Sequence, residues 1–431
     1  MTQHRFARIG LLLAAIGLGA VPALVQTAHA QDKQAAASAP QETVRKDMVK
    51  FLDGKVLSPL LEAKKYGEVN ALLDQADAMP NKTPYEQYII NRMRLATALG
   101  MGDKPKLIEM LESILASGRL EKDEKAKFTQ ALAGYYQEQK NYPKTIENLQ
   151  KYADMTGDPK AARQIMAIRF ESGDYKGVQA DLLKKLNDSI KANQPMTREE
   201  LHMLADASHR LKDKGTYLTA LEGLVRWHPR DRYWSDMLYR TRGKENYSTR
   251  FSADIIRLQK VATTKMEEQD YLELAEVDQL EGQFIEGKAV LDAGIANGAV
   301  TMNAKVKKLK AELDKQAADD MKNIASTESS ARKAKNGTGM VNLGYAFVTM
   351  GQYDKGIQLI QDGIAKGGLK NADDAKLRLG YSYAMAGKKD EAIKILETVQ
   401  GADGRADLAR YWILWVNRPY PATVGDDEKK S

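Results

Sequence analysis

The apolar and polar positions of this chain recur with a long period. A turn residue is followed three positions on by a small or apolar residue, and four further on by a large apolar one. The turn residues are Tyr66, Lys104, Tyr142, Tyr175, Tyr217, Phe284, Tyr353 and Lys389. The residues three on are Val69, Leu107, Thr145, Val178, Ala220, Gly287, Gly356 and Ala392. The large ones are Leu73, Leu111, Leu149, Leu182, Leu224, Leu291, Ile360 and Leu396, apolar in every copy. That spacing puts both positions on one face of an α-helix. Each turn residue therefore marks the start of the second helix of a hairpin.

The turn residues lie 38, 38, 33, 42, 67, 69 and 36 apart. The short spacings fit one helix-turn-helix unit. The two long gaps each have room for one more hairpin of drifted sequence. Residues 231–262 are expected to give helices near 231–241 and 249–262. Residues 302–335 are expected to give a Lys-rich helix and then an Ala/Ser-rich one. The prediction is an all-α, right-handed helix-turn-helix solenoid over 46–418, of about ten hairpins, two of them degenerate. Such a unit cannot bury its apolar face alone, so the hairpins stack into one continuous array with a long surface. The last helix, 404–417, carries Tyr411, Trp412 and Trp415 and is expected to cap the end of the stack. A second aromatic group, Trp227, Tyr233 and Trp234, is either packing or part of an aromatic binding patch.

Residues 337–400 carry the cleanest copies: Leu343-Gly344, Phe347, Gly351-Gln352-Tyr353 and Gly356, then Leu379-Gly380, Tyr383, Gly387 and Ala392. They resemble the tetratricopeptide repeat. The resemblance implies a protein-binding scaffold whose first helices line a groove. Matched position by position, that groove takes Arg92, Ala96, Lys127, Gln130, Gly134, Gln137, Arg163, Ala167 and Phe170. It continues through His202, Ala205, His209 and Lys212, and ends at Val341, Tyr345, Val348, Leu377, Tyr381 and Met385. The surface would run from basic-polar to aromatic-apolar, with Tyr345 and Tyr381 projecting as anchors. The asparagine positions of the family's carboxylate clamp hold Ala96, Gly134, Ala167, His209, Tyr345 and Tyr381, so no such clamp is expected.

Chemistry is scarce by comparison. There is no Cys, hence no thiolate nucleophile or thiolate metal ligand. His202, Asp206 and His209 share a helix face, but one helix strip makes a loose metal site. Glu199-Glu200 and Asp373-Asp374 suit helix starts, where carboxylates complement the dipole. Asp319-Asp320 suits a solvated face. No phosphate loop, nucleophile elbow or His-Glu-x-x-His helix is present. No enzyme, cofactor or metal is expected.

The first thirty residues read as a secretory signal. Arg5 and Arg8 precede an apolar run from Ile9 to Val25, and Ala28-His29-Ala30 is a small-x-small cleavage site. Residues 31–45 read as a flexible linker and 419–431 as a frayed tail. The formal charge of +7 falls to +5 once Arg5 and Arg8 are removed, and clusters such as Lys305–Lys310 read as solvated faces. The expected setting is the bacterial periplasm, with protein partners, no nucleic acid and no membrane span in the mature chain. The stretches Lys82–Ile90 and Gly367–Ala375 are similar to secreted tetratricopeptide proteins associated with TonB–ExbB–ExbD systems. That resemblance implies an accessory role in energised outer-membrane uptake. The alternative is an envelope assembly factor for secretion, polysaccharide export or outer-membrane biogenesis; an enzyme or glycan-binding protein is more remote.

Mass spectrometry of the protein isolated from the periplasm is expected to find Gln31 at its N-terminus. An intact Met1 would refute cleavage.

Overall fold

The structure is a computed structural model that describes residues 42–418. The expected signal, most of the linker and the tail lie outside the described residues. Among these residues there are 21 α-helices and no β-strand. The fold is all-α, built of helical hairpins of the solenoid type. The helices group into two compact units, divided between Asp174 and Tyr175.

The first unit holds α1 (Lys46–Leu52), α2 (Gly54–Glu62), α3 (Tyr66–Asp77), α4 (Pro84–Met101), α5 (Lys104–Ala116), α6 (Lys122–Glu138), α7 (Tyr142–Thr156) and α8 (Pro159–Glu171). Its punctuation is local. Thr83 caps α4 by accepting from the Glu86 amide while Glu86 bonds back to Thr83, and Pro84 opens the helix. Gly102 and Gly157 close α4 and α7 in the left-handed conformation. The segment before α1 is anchored and not a free linker at 42–45. Glu42 pairs with Arg119 at 2.7 Å, and Arg45 pairs with the buried Glu86 at 2.9 Å. Burial would raise the Glu86 carboxyl, but hydrogen bonds from Arg45 and the Thr83 amide hold it down at about 2.

The second unit runs from α9 (Tyr175–Ala192) through α10 (Arg198–Arg210), α11 (Lys214–Trp227), α12 (Asp231–Arg242), α13 (Ser252–Ala262), α14 (Glu268–Glu281) and α15 (Phe284–Ala296). It continues with α16 (Ala304–Lys333), α17 (Thr338–Thr349), α18 (Tyr353–Lys366), α19 (Ala372–Met385), α20 (Lys389–Leu396) and α21 (Arg405–Val416).

Seven of the eight turn residues are the first residue of a helix. The exception is Tyr217. There the helix starts one turn earlier, because Asp213 caps it by accepting from the Thr216 amide. The eight large apolar residues are all buried, none more than 5% exposed. Each such burial is worth about 1.5–3 kcal/mol. The gap at 231–262 does hold two helices, α12 and α13. The gap at 302–335 does not: α16 is one helix of 30 residues. No Gly or Pro stands between Ala304 and Lys333, so nothing in that stretch breaks the helix.

The tightest hairpin is α17–α18. A Cβ on Gly344 would stand 2.6 Å from the Gly356 carbonyl oxygen, and one on Gly356 would stand 2.5 Å from that of Gly344. The two backbones touch, and only glycine fits. Gly344→Ala is expected to destabilise the second unit by about 1–3 kcal/mol through overpacking, read as a lower Tm. Gly67→Ala, where a Cβ meets nothing within 4 Å, serves as the control and is expected to be neutral or slightly stabilising.

Candidate partner-binding surfaces

The expected groove positions fall into two unlike groups. In the first unit they lie on faces of α4, α6 and α8 that stay at least partly open. Lys127 and Arg163 are exposed, and Arg92, Gln130 and Phe170 are half-buried. Arg92 joins α4 to α6, donating to Glu124 at 2.7 Å and to the Tyr88 hydroxyl at 2.8 Å. Ala96, Gly134 and Ala167 keep that face low, so an extended chain could approach the helices closely. On another side of this unit, a cleft of about 630 Å³ is bounded in part by Glu112, Tyr136 and Lys144. Lys144 donates to both of the others, at 3.0 and 2.8 Å.

The second unit corrects the expectation. Val341, Tyr345, Val348 and Leu377 are buried, with Tyr345 1% exposed, and Tyr381 and Met385 are half-buried. The rings do not project as open anchors: Trp412 of α21 packs on Tyr381, and Arg257 and Arg378 lie over Tyr345. Trp412 packs edge-on against Tyr381 at 5.1 Å, and Tyr381 lies 5.5 Å from Tyr345. Trp415 sits 5.4 Å from Trp412 and donates from Nε1 to the Val261 carbonyl at 3.0 Å. Tyr411 shares a hydrogen bond of 2.9 Å with Thr241 on α12. Arg410 reaches Glu222 on α11 at 2.9 Å, and Lys244 reaches Asp407 at 2.6 Å. The last helix therefore packs on α11 and α13 as well as on α19 and α20. It is more than the end cap that the sequence predicts.

Behind these rings lies a buried ionic cluster that sequence reading missed. Arg257 on α13, 3% exposed, donates to Glu286, Asp278 and Asp254. Its guanidinium also lies over the Tyr345 ring at 5.1 Å. One cation faces three carboxylates, and a fourth, Glu281, adds its field. The excess negative charge is relieved by protonation at the deepest site. Asp278 is fully buried, and burial, then Glu286, push its carboxyl up to about 9. In sequence these residues are ordinary helix charges, spaced like any solvated face, so no local signal marks them.

The histidine strip does not converge. His202 is half-buried and shares a hydrogen bond of 2.8 Å with the Tyr233 hydroxyl. Burial, then the Arg232 charge, lower its pKa and keep it neutral at pH 7. Asp206 and His209 are exposed. Among the described residues no three His, Asp or Glu side chains stand close enough to hold a metal ion. Trp234 is fully buried and Tyr233 is 4% exposed, so this aromatic group is mainly packing. Among the described residues no helix is long and apolar enough to cross a membrane.

Residues 374–401 match the family model of the tetratricopeptide repeat. No curated protein matches the chain in sequence. Among solved structures the chain is similar to the TPR2AB-domain:pHSP90 complex of yeast Sti1. The identity is 11% over 68% of this chain and 98% of that one, at a TM-score of 0.23. It is also similar to the structure of Naa15/Naa10 bound to HypK-THB. There the identity is 10% over 87% of this chain and 56% of that one, at a TM-score of 0.22. At such scores neither likeness bears on shape or function.

The raised Asp278 gives a pH signature. Its carboxyl stays protonated in the folded state over a range where the unfolded chain, with an ordinary value near 4, has released the proton. Between about pH 4 and pH 9 the contribution of Asp278 to stability therefore falls as pH rises, by at most about 1.4 kcal/mol per unit. Asp278→Asn is expected to flatten that slope in denaturant melts at pH 5 and pH 8. Its advantage over wild type should be larger at pH 8, and equal effects at both would refute the assignment.

Proposed function

We propose that this chain is a non-catalytic scaffold that holds protein partners, and that its first unit offers the open face. The observation that carries this reading is the contrast between the helices α4, α6 and α8 and the helices α17 and α19. The groove positions on α4, α6 and α8 leave Lys127 and Arg163 exposed, whereas Val341, Tyr345, Val348 and Leu377 on α17 and α19 are buried. The tetratricopeptide match at 374–401 supports a protein-interaction type of repeat, and helical arrays present extended surfaces in place of enclosed pockets.

The setting is part of the proposal. Arg5, Arg8, the apolar run and Ala28-His29-Ala30 support export, which makes the periplasm the working compartment. The stretches Lys82–Ile90 and Gly367–Ala375 support a role beside TonB–ExbB–ExbD in energised outer-membrane transport. Periplasmic domains of TonB and ExbD, purified separately, are the partners to test by interferometry. Lys127→Glu with Arg163→Glu is expected to weaken binding roughly ten-fold while the helical signal stays unchanged, because reversing exposed charges at a contact face opposes association. Binding that ignores both substitutions would remove the first unit as the contact face. No binding by either domain would remove the TonB reading.

A further inference from the structure

Among the described residues Tyr239 is the one exposed Phe, Tyr or Trp side chain, at 77%. Every other one is buried or half-buried. Helix α12 buries Trp234, Met237, Leu238 and Thr241 as one stripe, and Tyr239 lies off it. A single exposed ring means little by itself. This one lines a cavity of about 900 Å³, a volume in the range of ligand sites. The cavity is walled by the start of α11, the end of α12 with the turn after it, and the start of α14, all within the second unit.

The walls are braced by ion pairs. Arg240 pairs with Asp236 at 2.7 Å and lies 4.1 Å over the Tyr217 ring, which ties α12 to α11. Arg242 pairs with Glu273 on α14, and Lys244 pairs with Asp407 at 2.6 Å. Those pairings leave little net charge to attract an ion. What stays free is a set of hydrogen-bonding groups. The Lys214 ammonium, the Glu245 carboxylate and the Gln269 amide are exposed, with no side-chain partner among the described residues. Donors and acceptors are both present, and the one free cation is matched by one free carboxylate. Tyr239 and Leu218 are the only apolar side chains of the lining, too few to seat the apolar anchors on which peptide recognition depends.

This combination suits a sugar. A sugar hydroxyl both donates and accepts, so it needs both kinds of partner at once. One face of a pyranose ring presents C–H groups with slight positive charge, which are attracted to the electron-rich face of an aromatic ring. We propose that this cavity binds an uncharged oligosaccharide, with one sugar ring stacked on Tyr239 and hydroxyls held by Lys214, Glu245 and Gln269. The site goes beyond the scaffold reading and uses other residues, so its failure leaves the Lys127 and Arg163 test standing.

The test titrates chitohexaose, cellohexaose and maltohexaose into the full chain by calorimetry. At least one is expected to bind saturably, with an affinity that does not change between low and high salt, because no ion pair forms. Tyr239→Ala is expected to weaken that binding about ten-fold or more, whereas Tyr239→Phe retains it, since stacking needs the ring and not the hydroxyl. The position is exposed, so neither variant should move the Tm. Lys127→Glu with Arg163→Glu should leave sugar binding intact. No saturable binding of any of the three sugars would overturn the proposal, as would binding that ignores Tyr239→Ala. A polyglutamate peptide that binds in their place, weakens with salt and is lost in Lys214→Glu would overturn it in favour of an acidic protein segment.

Discussion

Trp412 set edge-on against Tyr381 is the contact on which the second unit depends. Through that ring, α21 is fixed to α19, and Trp415 and Tyr411 extend the attachment to α13 and α12. Aromatic pairs of this geometry add about 0.5–1.5 kcal/mol beyond the apolar area they bury. Area is the larger part here, since both Trp412 and Tyr411 are 1% exposed or less. Tyr345 and the Arg257 cluster beside it are buried away from water.

That loss of water explains the electrostatics. Arg257 alone cannot balance the carboxylates around it, so the most buried of them takes up a proton. A buried ion cluster of this kind is poor evidence of stability, because desolvation offsets much of the attraction. The first unit has no comparable cover on its expected groove positions. Its cations either bridge neighbouring helices, as Arg92 does to Glu124, or stay exposed, as Lys127 and Arg163 do.

Close backbone contact is the second constraint. Gly344 and Gly356 meet with no side chain between them, and the flanking Leu343, Phe347 and Leu359 form the core around them. The two glycines that make the repeat recognisable are therefore the ones that set the hairpin's spacing.

The local fold was legible in the sequence because helix periodicity and capping are local. Starts such as Tyr66, Tyr142 and Tyr353, and the buried faces that follow them, come from spacing and from the turn residue before each helix. Where the local signal was weak the reading slipped, by one turn at Tyr217 and by an expected turn within α16. What the sequence could not decide is which apolar or aromatic positions end up covered, and by what. Tyr345 at a groove position looks the same in sequence whether it faces a partner or Trp412. Arg257 and Asp278 look the same whether solvated or buried together. Those outcomes depend on contacts between residues 21 to 188 positions apart, which only the packing of whole helices against one another brings about.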